Sequence, residues 1–224
     1  MKRLVFIDFD GTLFNVKSFA SKMAHIFERY GGLDFFNTLP RTKFGSYCLE
    51  KHLFLIKTKT QRNKVKRELK DLFRQSSEYL FPDAIDFLRT LGRIGSNTLI
   101  LISKGERVYQ DKKIYRAFSS DTRDLFDKIL VVEDYCKTPY IKKIAGEYQH
   151  DLLFFVDDCG NELLKATDAV PHVQTILIER YRSINNQYIR HDNHAHNLSE
   201  AANFIMRPPT FDHNLTFLLT EPTE

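Results

Sequence analysis

Residues 4–12 read Leu-Val-Phe-Ile-Asp-Phe-Asp-Gly-Thr, four apolar residues followed by two carboxylates around a phenylalanine, then glycine and threonine. The apolar run, rich in β-branched and aromatic types, predicts a strand buried on both faces of a parallel sheet, and the glycine ends it in a tight turn. Side chains two apart on a strand point the same way, so Asp8 and Asp10 are predicted to converge where ligands bind such sheets, unless the turn splays them. Close carboxylates repel unless a divalent cation lies between them. This stretch therefore predicts a metal site.

Composition limits the class of protein. The chain has 224 residues, of which 42% are hydrophobic, enough for one core with a modest insertion. Its net charge of +4 comes from 33 basic and 29 acidic residues. The mild basic excess favours small anionic ligands, and the near balance of the two counts argues against nucleic acid as a partner. The three cysteines form no C-x-x-C pair, which argues against a zinc ribbon or a disulfide framework. With no signal-peptide pattern and no apolar run of membrane length, we expect a cytoplasmic protein.

Further apolar runs alternate with helix-spaced stretches after residue 80. They predict strands at residues 98–102, 129–132, 152–156 and 174–178. Such alternation is typical of βαβ units in an α/β, Rossmann-like, doubly wound parallel sheet. Between the first strand and residue 80 the apolar spacing is helical only, which predicts an inserted all-helical module. We therefore expect three parts: a core of residues 1–14 and 81–206, a helical cap of residues 15–80, and a C-terminal tail of residues 207–224.

Three later positions at strand ends or helix starts carry residues suited to phosphoryl transfer. Ser103 follows the second core strand, and its hydroxyl, with the backbone N–H of Lys104, can hold phosphate oxygens. Lys137 precedes a predicted helix, and its charge can offset that of a phosphate. Asp157 and Asp158 follow the next buried run and offer the oxygen ligands that Mg²⁺ prefers. Together these positions predict a site for magnesium and phosphate.

In this order the motifs resemble those of haloacid dehalogenase (HAD) superfamily hydrolases, in particular the phosphatase branch with a helical, C1-type cap. The first motif corresponds to residues 8–12, the second to Ser103, the third to Lys137 and the fourth to residues 157–158 with Glu162 behind them. The resemblance implies that Asp8 attacks phosphorus to give an aspartyl-phosphate. It implies that Asp10 is the acid and base, and that Mg²⁺ is bound by Asp8, the backbone carbonyl of Asp10, and Asp157.

The fourth motif departs from the family pattern. Many relatives have glycine before its first aspartate and another aspartate four residues later, where this chain has Val156 and Asn161. Glu162 is the natural substitute, and Asp158 and Glu162 either reach the metal or orient the neighbouring motif residues. Two lysines further along the helix compete for the role of the third-motif lysine, but Lys137 before Thr-Pro matches better; they are Lys142 and Lys143.

These observations predict a Mg²⁺-dependent phosphomonoesterase that acts on a small phosphorylated metabolite. Asp10 favours a phosphatase over a dehalogenase, because halide leaves without needing a proton. Two alternatives stay open: a catalytically quiet binding or regulatory protein of the same fold, and a phosphotransferase that uses an acceptor other than water. The sequence predicts neither the substrate nor the oligomeric state.

Three groups of residues outside the motifs have plainer interpretations. The basic run from Lys57 to Arg74 is a solvated helix face or a surface that gathers an anionic substrate. A polar loop carries histidines interpreted as surface residues: His191, His194 and His196. Three phenylalanines of the insertion are predicted to form the cap core, with one available to face the substrate: Phe35, Phe36 and Phe44.

Overall fold

The centre of the molecule is a six-stranded sheet. The computed structural model describes residues 1–180 and 192–207, so His191 and the predicted tail beyond Arg207 lie outside it. The strands are Arg3–Ile7 (β1), Asn97–Lys104 (β2), Lys128–Val132 (β3), Leu152–Asp157 (β4), Val173–Ile178 (β5) and Asn193–Ala195 (β6). Their order is β3-β2-β1-β4-β5-β6, and all neighbours are parallel. The strand order reverses at β1, so its carboxyl end lies at a topological switch point. The predicted α/β, Rossmann-like class is confirmed.

Helices cover both faces of this sheet. They are Val16–Ile26 (α1), Leu49–Phe54 (α2), Lys59–Arg74 (α3), Ala84–Gly92 (α4), Arg107–Ala117 (α5), Ser120–Arg123 (α6), Thr138–Glu147 (α7), Gly160–Ala169 (α8) and Leu198–Met206 (α9). Val5 and Ile7 of β1 pack in a cluster with side chains of α4, α5 and α9, whereas Leu4 and Phe6 pack with α7 and α8. Alternate residues of a strand face opposite ways, so the continuous apolar run of β1 is buried on both sides. Burial of each such side chain contributes roughly 1.5–3 kcal/mol.

The region predicted as a cap contains helices and no strand of the sheet. Besides α1, α2 and α3 it holds a π-helical turn at Phe27–Gly31 and a 3-10 turn at Ser76–Tyr79. The side chain of Asn15 accepts a hydrogen bond of 3.0 Å from the Ser18 N–H, which caps the start of α1. Gly32, with φ of 63°, ends the π-helical turn in the left-handed conformation that glycine adopts without strain. The first helical segment of the region therefore ends at Gly32.

Two connections join this helical region to the sheet, and they run side by side. Phe14 in residues 13–15 pairs with Leu80 in residues 79–81 as an isolated antiparallel bridge. Backbone hydrogen bonds of 2.7 and 2.9 Å between the same two segments flank that bridge. One cluster of buried side chains extends from β1 through Phe14 to Phe27 and Leu69 in the helical region. The helical region is thus attached at one place and packed on the core from there.

The sequence did not predict β6. This strand is only three residues long, and it pairs with β5 at the edge of the sheet. Its sequence, Asn-His-Ala, has one buried residue, Ala195, which is too little for an alternating apolar pattern. Pairing with β5, rather than local propensity, makes these residues a strand.

Two expectations from composition can be compared with the structure. The cysteines Cys48, Cys136 and Cys159 are all free, as their spacing predicted. Within residues 1–180 and 192–207, no helix combines the length and the apolar character needed to cross a membrane.

Candidate active site

Three carboxylates meet at the carboxyl ends of β1 and β4. Asp8 directly follows β1, Asp157 ends β4, and Asp158 comes next. Because Ile7 pairs with Val156, the two strand ends are level with each other. One oxygen of each carboxylate lies within 4.8 Å of the others, and Asp8 and Asp157 are only 3% and 1% exposed. With little water to screen them, these charges repel strongly unless a cation compensates.

Lys137 supplies one compensating charge. Its Nζ donates hydrogen bonds to Asp8 Oδ1 and, at 2.7 Å, to Asp157 Oδ2. Burial acts to lower the pKa of Lys137, but the carboxylates of Asp157 and Asp8 outweigh it and raise that pKa, so the side chain stays an ammonium. The competing lysines, Lys142 and Lys143, are exposed on α7. The structure therefore places the predicted lysine, and neither competitor, between the two buried aspartates.

One ammonium does not balance three carboxylates. Burial raises the pKa of both Asp8 and Asp157, and burial together with the charge of Asp157 raises the pKa of Asp158 to about 7. Asp8 Oδ2 is buried and has no hydrogen-bond partner among the described residues. An all-oxygen donor set with an unused carboxylate oxygen suits a hard divalent cation such as Mg²⁺. Asp158, whose role the sequence left open, belongs to this set, while the predicted ligation by the Asp10 carbonyl stays a prediction.

The close approach of Asp158 depends on the glycine of the first motif. Gly11 has φ of 90°, in the left-handed region that other residues avoid. A Cβ atom on Gly11 would overlap the carboxylate of Asp158. Glycine is therefore required here both for the turn and for the space that Asp158 occupies.

The side chain of Asp10 points to α5, where two buried residues hold it. Lys113 Nζ lies 2.6 and 2.5 Å from the two carboxylate oxygens, and Gln110 Nε2 donates to Oδ2 at 2.8 Å. The Lys113 side chain is completely buried, and its Nζ lies 4.7 Å from the centroid of the Tyr109 ring. Burial lowers the pKa of Lys113, against the opposing effect of Asp10. Asp10 is thus oriented by an ion pair separate from that of Asp8.

Sequence reasoning missed both Lys113 and Gln110. A usable signal existed for Lys113, which lies four residues after Tyr109 and four before Ala117, both buried on α5. Residues four apart share a helix face, so this lysine lies on the buried stripe of α5. A lysine on such a stripe is almost never fully buried without a charged partner.

Buried hydroxyl groups at the site lack partners. Ser103 is fully buried, and its Oγ makes no hydrogen bond within the described chain; the same is true of Thr12 Oγ1 and Thr138 Oγ1. Leaving a buried hydroxyl unpaired costs roughly 1–3 kcal/mol. The oxygens of a phosphate would accept hydrogen bonds from such groups. Phosphate binding by Ser103 stays a prediction that this arrangement supports.

Glu162 lies behind the carboxylate cluster and holds the loop that carries Lys137. Its Oε1 accepts from Lys104 Nζ at 2.6 Å, and its Oε2 accepts from the Lys137 N–H at 2.9 Å. Burial acts to raise the pKa of Glu162, but Lys104 and Lys137 outweigh it and lower that pKa. Of the two roles left open for Glu162, the geometry favours the orienting one. Since the Lys104 ammonium is bound to Glu162, the predicted phosphate contact of Lys104 depends on its backbone N–H.

A further ion pair fixes the loop of the first motif. Arg180 donates to both carboxylate oxygens of Asp83, at 2.9 and 2.7 Å, and to the Thr12 carbonyl at 3.2 Å. Asp83 also accepts from the Leu198 N–H at 2.9 Å. Burial acts to raise the pKa of Asp83, but Arg180 and the backbone donors outweigh it and lower that pKa. No sequence pattern indicated this pair, which joins three distant segments.

A cavity of about 250 Å³ opens beside Asp10, between the helical region and the core. Phe36 lines it and is 56% exposed, so of the two interpretations left open for these phenylalanines it is not the core one that applies to Phe36. Phe35 also lines the cavity and is buried, as predicted. Phe44 is half-buried and packs on Tyr135 of the core, with ring centroids 5.2 Å apart, and Tyr135 Oη donates to the Lys43 carbonyl at 3.3 Å. The helical region therefore contacts the core on the side of the cavity away from its two connections.

The remaining sequence candidates lie on the surface. His194 and His196 are exposed, and together with Glu179 they bring ligand atoms within 4.8 Å, but His194 already pairs with Glu179 at 3.1 Å. In the basic run of residues 57–74, all basic side chains except the half-buried Arg62 are exposed. This agrees with the interpretation of that run as a solvated face.

Comparison with known proteins identifies the fold. No family profile and no curated protein matches the sequence. Solved structures do match, among them a haloacid dehalogenase-like hydrolase from Burkholderia xenovorans, with a TM-score of 0.70 and 17% identity over 93% of this chain and 99% of the other. The HAD-hydrolase YfnB from Bacillus subtilis, solved with magnesium, has a TM-score of 0.61 and 12% identity over 92% and 99%. The L-2-haloacid dehalogenase RSc1362 has a TM-score of 0.60 and 18% identity, also over 92% and 99%. The chain therefore has the fold of the haloacid dehalogenase-like hydrolases.

Proposed function

We propose that this protein is a Mg²⁺-dependent phosphomonoester hydrolase that works through an aspartyl-phosphate. The observation that carries the proposal is the cluster of three carboxylates at the ends of β1 and β4, where Lys137 is the one ammonium of the described chain in hydrogen-bond contact with Asp8 and Asp157. A site that releases halide needs no proton donor and no metal, so neither the extra carboxylates nor Asp10 would serve it. A site that transfers a phosphoryl group uses all of them.

Asp8 is the nucleophile. Lys137 holds one of its oxygens, and the other, Oδ2, has no partner among the described residues. That oxygen attacks phosphorus, the bond from phosphorus to the ester oxygen breaks, and an acyl phosphate forms on Asp8. Lys137 orients the attacking carboxylate and offsets the charge of the incoming phosphate.

Asp10 moves the protons of both steps. In the first step it gives a proton to the leaving alcohol oxygen, and in the second it takes one from the water that attacks the aspartyl-phosphate. Its position beside the cavity suits contact with a leaving group, and Lys113 and Gln110 fix its orientation. Inorganic phosphate and free Asp8 are then regenerated.

Asp8, Asp157 and Asp158 would hold Mg²⁺, which when bound supplies positive charge that stabilises the transferring phosphoryl group. The N–H of Cys159 donates to Asp157 Oδ1 at 2.8 Å and Lys137 to its Oδ2, so both oxygens of that residue are already oriented. Preoriented ligands of this kind lower the cost of binding a cation.

The test is phosphate release from a panel of phosphorylated metabolites, measured with Mg²⁺ and with EDTA. Release is expected with Mg²⁺ only, and Asp8→Asn should reduce it at least roughly a thousandfold, because the covalent route is lost. The matched control is Asp121→Asn, an exposed aspartate on α6, which should behave like the wild type.

Three results would contradict the proposal. They are wild-type turnover by Asp8→Asn, turnover that EDTA does not affect, and chloride release from 2-chloropropionate in place of phosphate release. A folded wild type that is silent across the panel would favour a binding protein of the same fold. Transfer to added alcohols in preference to water would favour a phosphotransferase.

A further inference from the structure

The cavity beside Asp10 restricts which alcohol can leave. Four aromatic side chains form a continuous wall along it: Phe35, Phe36, Tyr47 and Tyr109. Their ring centroids are 5.3 Å apart for the two phenylalanines, 5.7 Å from Phe35 to Tyr47, and 5.2 Å from Tyr47 to Tyr109. Val16, Ala20 and Leu39 add further apolar lining. A ligand in this cavity therefore faces mainly ring and aliphatic surface.

The tyrosines contribute rings because their hydroxyl groups are engaged elsewhere. Tyr47 Oη lies 3.1 Å from His52 Nδ1, and Tyr109 Oη donates to Met23 Sδ at 3.3 Å. Burial lowers the pKa of His52 to about 4, so it is neutral and can accept from Tyr47. Neither hydroxyl therefore has its proton free to donate to the hydroxyl groups of a sugar.

The charged residues that line the cavity are also engaged. Lys104 is bound to Glu162, Glu106 accepts from the Tyr109 N–H at 2.8 Å, and Lys113 is bound to Asp10. Gln110 donates to Asp10, while its Oε1 has no partner within the described residues. A polyhydroxylated leaving group needs several unpaired partners, since each hydroxyl buried without one costs free energy. The described residues that line this cavity offer few such partners.

The volume of the cavity agrees with a ligand that carries a single ring. An apolar cavity of about 150 Å³ is known to hold benzene, so about 250 Å³ accommodates one ring with a short arm. A hexose would also fit by volume, which means that the polarity of the wall decides between the two. Aromatic rings pack favourably against the edges and faces of other rings.

We infer that the substrate is the monophosphate ester of an alcohol that carries one aromatic ring, with the ring packed against Phe35, Phe36, Tyr47 and Tyr109. This inference rests on the proposed function, because it takes phosphate transfer to Asp8 as given. The ester oxygen lies toward Asp10, which protonates it as the bond to phosphorus breaks. The ring-bearing alcohol then leaves past the exposed Phe36.

The experiment compares kcat/KM for benzyl phosphate, glycerol 3-phosphate and glucose 6-phosphate with Mg²⁺, and acetyl phosphate serves as a substrate without a ring or a hydroxyl. All three esters release primary alcohols, so leaving-group chemistry differs little. Benzyl phosphate should be favoured at least roughly tenfold, the discrimination that hydrophobic pockets provide. Phe36→Ala should raise KM for benzyl phosphate about fivefold. Phe54→Ala, which changes an exposed phenylalanine of α2 outside the cavity lining, should not.

The outcomes separate this inference from the proposed function. Equal or better turnover of glycerol or glucose phosphate would overturn the aromatic substrate class and leave the phosphatase proposal standing. An unchanged KM in Phe36→Ala would overturn the assignment of the cavity as the ring site. Failure to hydrolyse every ester and acetyl phosphate as well, in a folded protein, would overturn the proposed function and this inference with it.

Discussion

Two buried lysines serve the two aspartates of the first motif, and their surroundings differ. Lys137 bridges Asp8 and Asp157, with Asp158 close by, whereas Lys113 binds Asp10 alone. The pKa of Lys137 is raised by its two carboxylates despite burial, while that of Lys113 is lowered because burial outweighs its single partner. The group around Lys137 contains more carboxylates than ammonium groups, whereas Lys113 and Asp10 form a pair with one of each. One group therefore contains the candidate cation ligands, while the other positions the side chain of Asp10, only two residues from Asp8.

The largest effect should come from Lys137→Met. The substitution removes the ammonium that bridges Asp8 and Asp157, so without metal the free energy of unfolding should fall by about 3–5 kcal/mol. Mg²⁺ should then raise the Tm of the variant more than that of the wild type, since the variant site is more negative. Thermal unfolding with and without Mg²⁺ measures both, and Lys142→Met on the same helix is the control. Equal Mg²⁺ responses in Lys137→Met and the wild type would contradict the surplus of charge.

A smaller effect is expected from Lys113→Met. Methionine fills the apolar space among the rings, and Asp10, whose side chain is 22% exposed, can be hydrated, so the protein should stay folded. Turnover should fall roughly tenfold because Asp10 loses its orientation, which corresponds to about 1.4 kcal/mol. Steady-state kinetics beside Lys112→Met, an exposed neighbour, measure this. A change in Mg²⁺ response as large as that of Lys137→Met would show that the two lysine groups are coupled.

The smallest effect concerns a balanced pair outside the site, Asp83 with Arg180. The pKa of Asp83 is lower in the folded protein than its unfolded value of about 3.9, so its stabilising contribution is present above that pH and is lost as the pH falls through the folded value. Asp83→Asn should cost about 1 kcal/mol at pH 7 and less near pH 3. Urea unfolding at both pH values tests this, with Asp86→Asn on exposed α4 surface as control. A constant difference between wild type and Asp83→Asn at the two pH values would contradict it.

The sequence predicted the residues at strand ends and missed two cations that pair with distant carboxylates, Lys113 on α5 and Arg180 beyond β5. Asp8 and Asp157 could be found because parallel strands deliver their carboxyl ends to one edge, so local pattern implies tertiary proximity. Lys113 and Arg180 could not be paired with Asp10 and Asp83 in this way. Their partners lie about a hundred residues away, and although the buried stripe of α5 marks Lys113, nothing local identifies the carboxylate that it binds.

Tertiary packing, which local sequence does not specify, also decides which phenylalanine of the helical region is buried and where the sheet gains its edge strand. Phe36 and Phe35 are adjacent and chemically identical, yet one is 56% exposed and the other 3%. Hydrophobicity predicts that one of the two is buried and does not predict which. Similarly, β6 becomes a strand only because β5 offers an edge to pair with.

The connections at residues 13–15 and 79–81 lie side by side, so the helical insertion can be exchanged as a unit. The bridge between Phe14 and Leu80 holds its two ends together in one short double-stranded stem, and the rest of the insertion meets the core by packing, as between Phe44 and Tyr135. The parallel register of β1 with β2 and β4 is set on the core side of that stem. A different module spliced at these ends can therefore inherit the same aspartates and lysine and direct them to another alcohol.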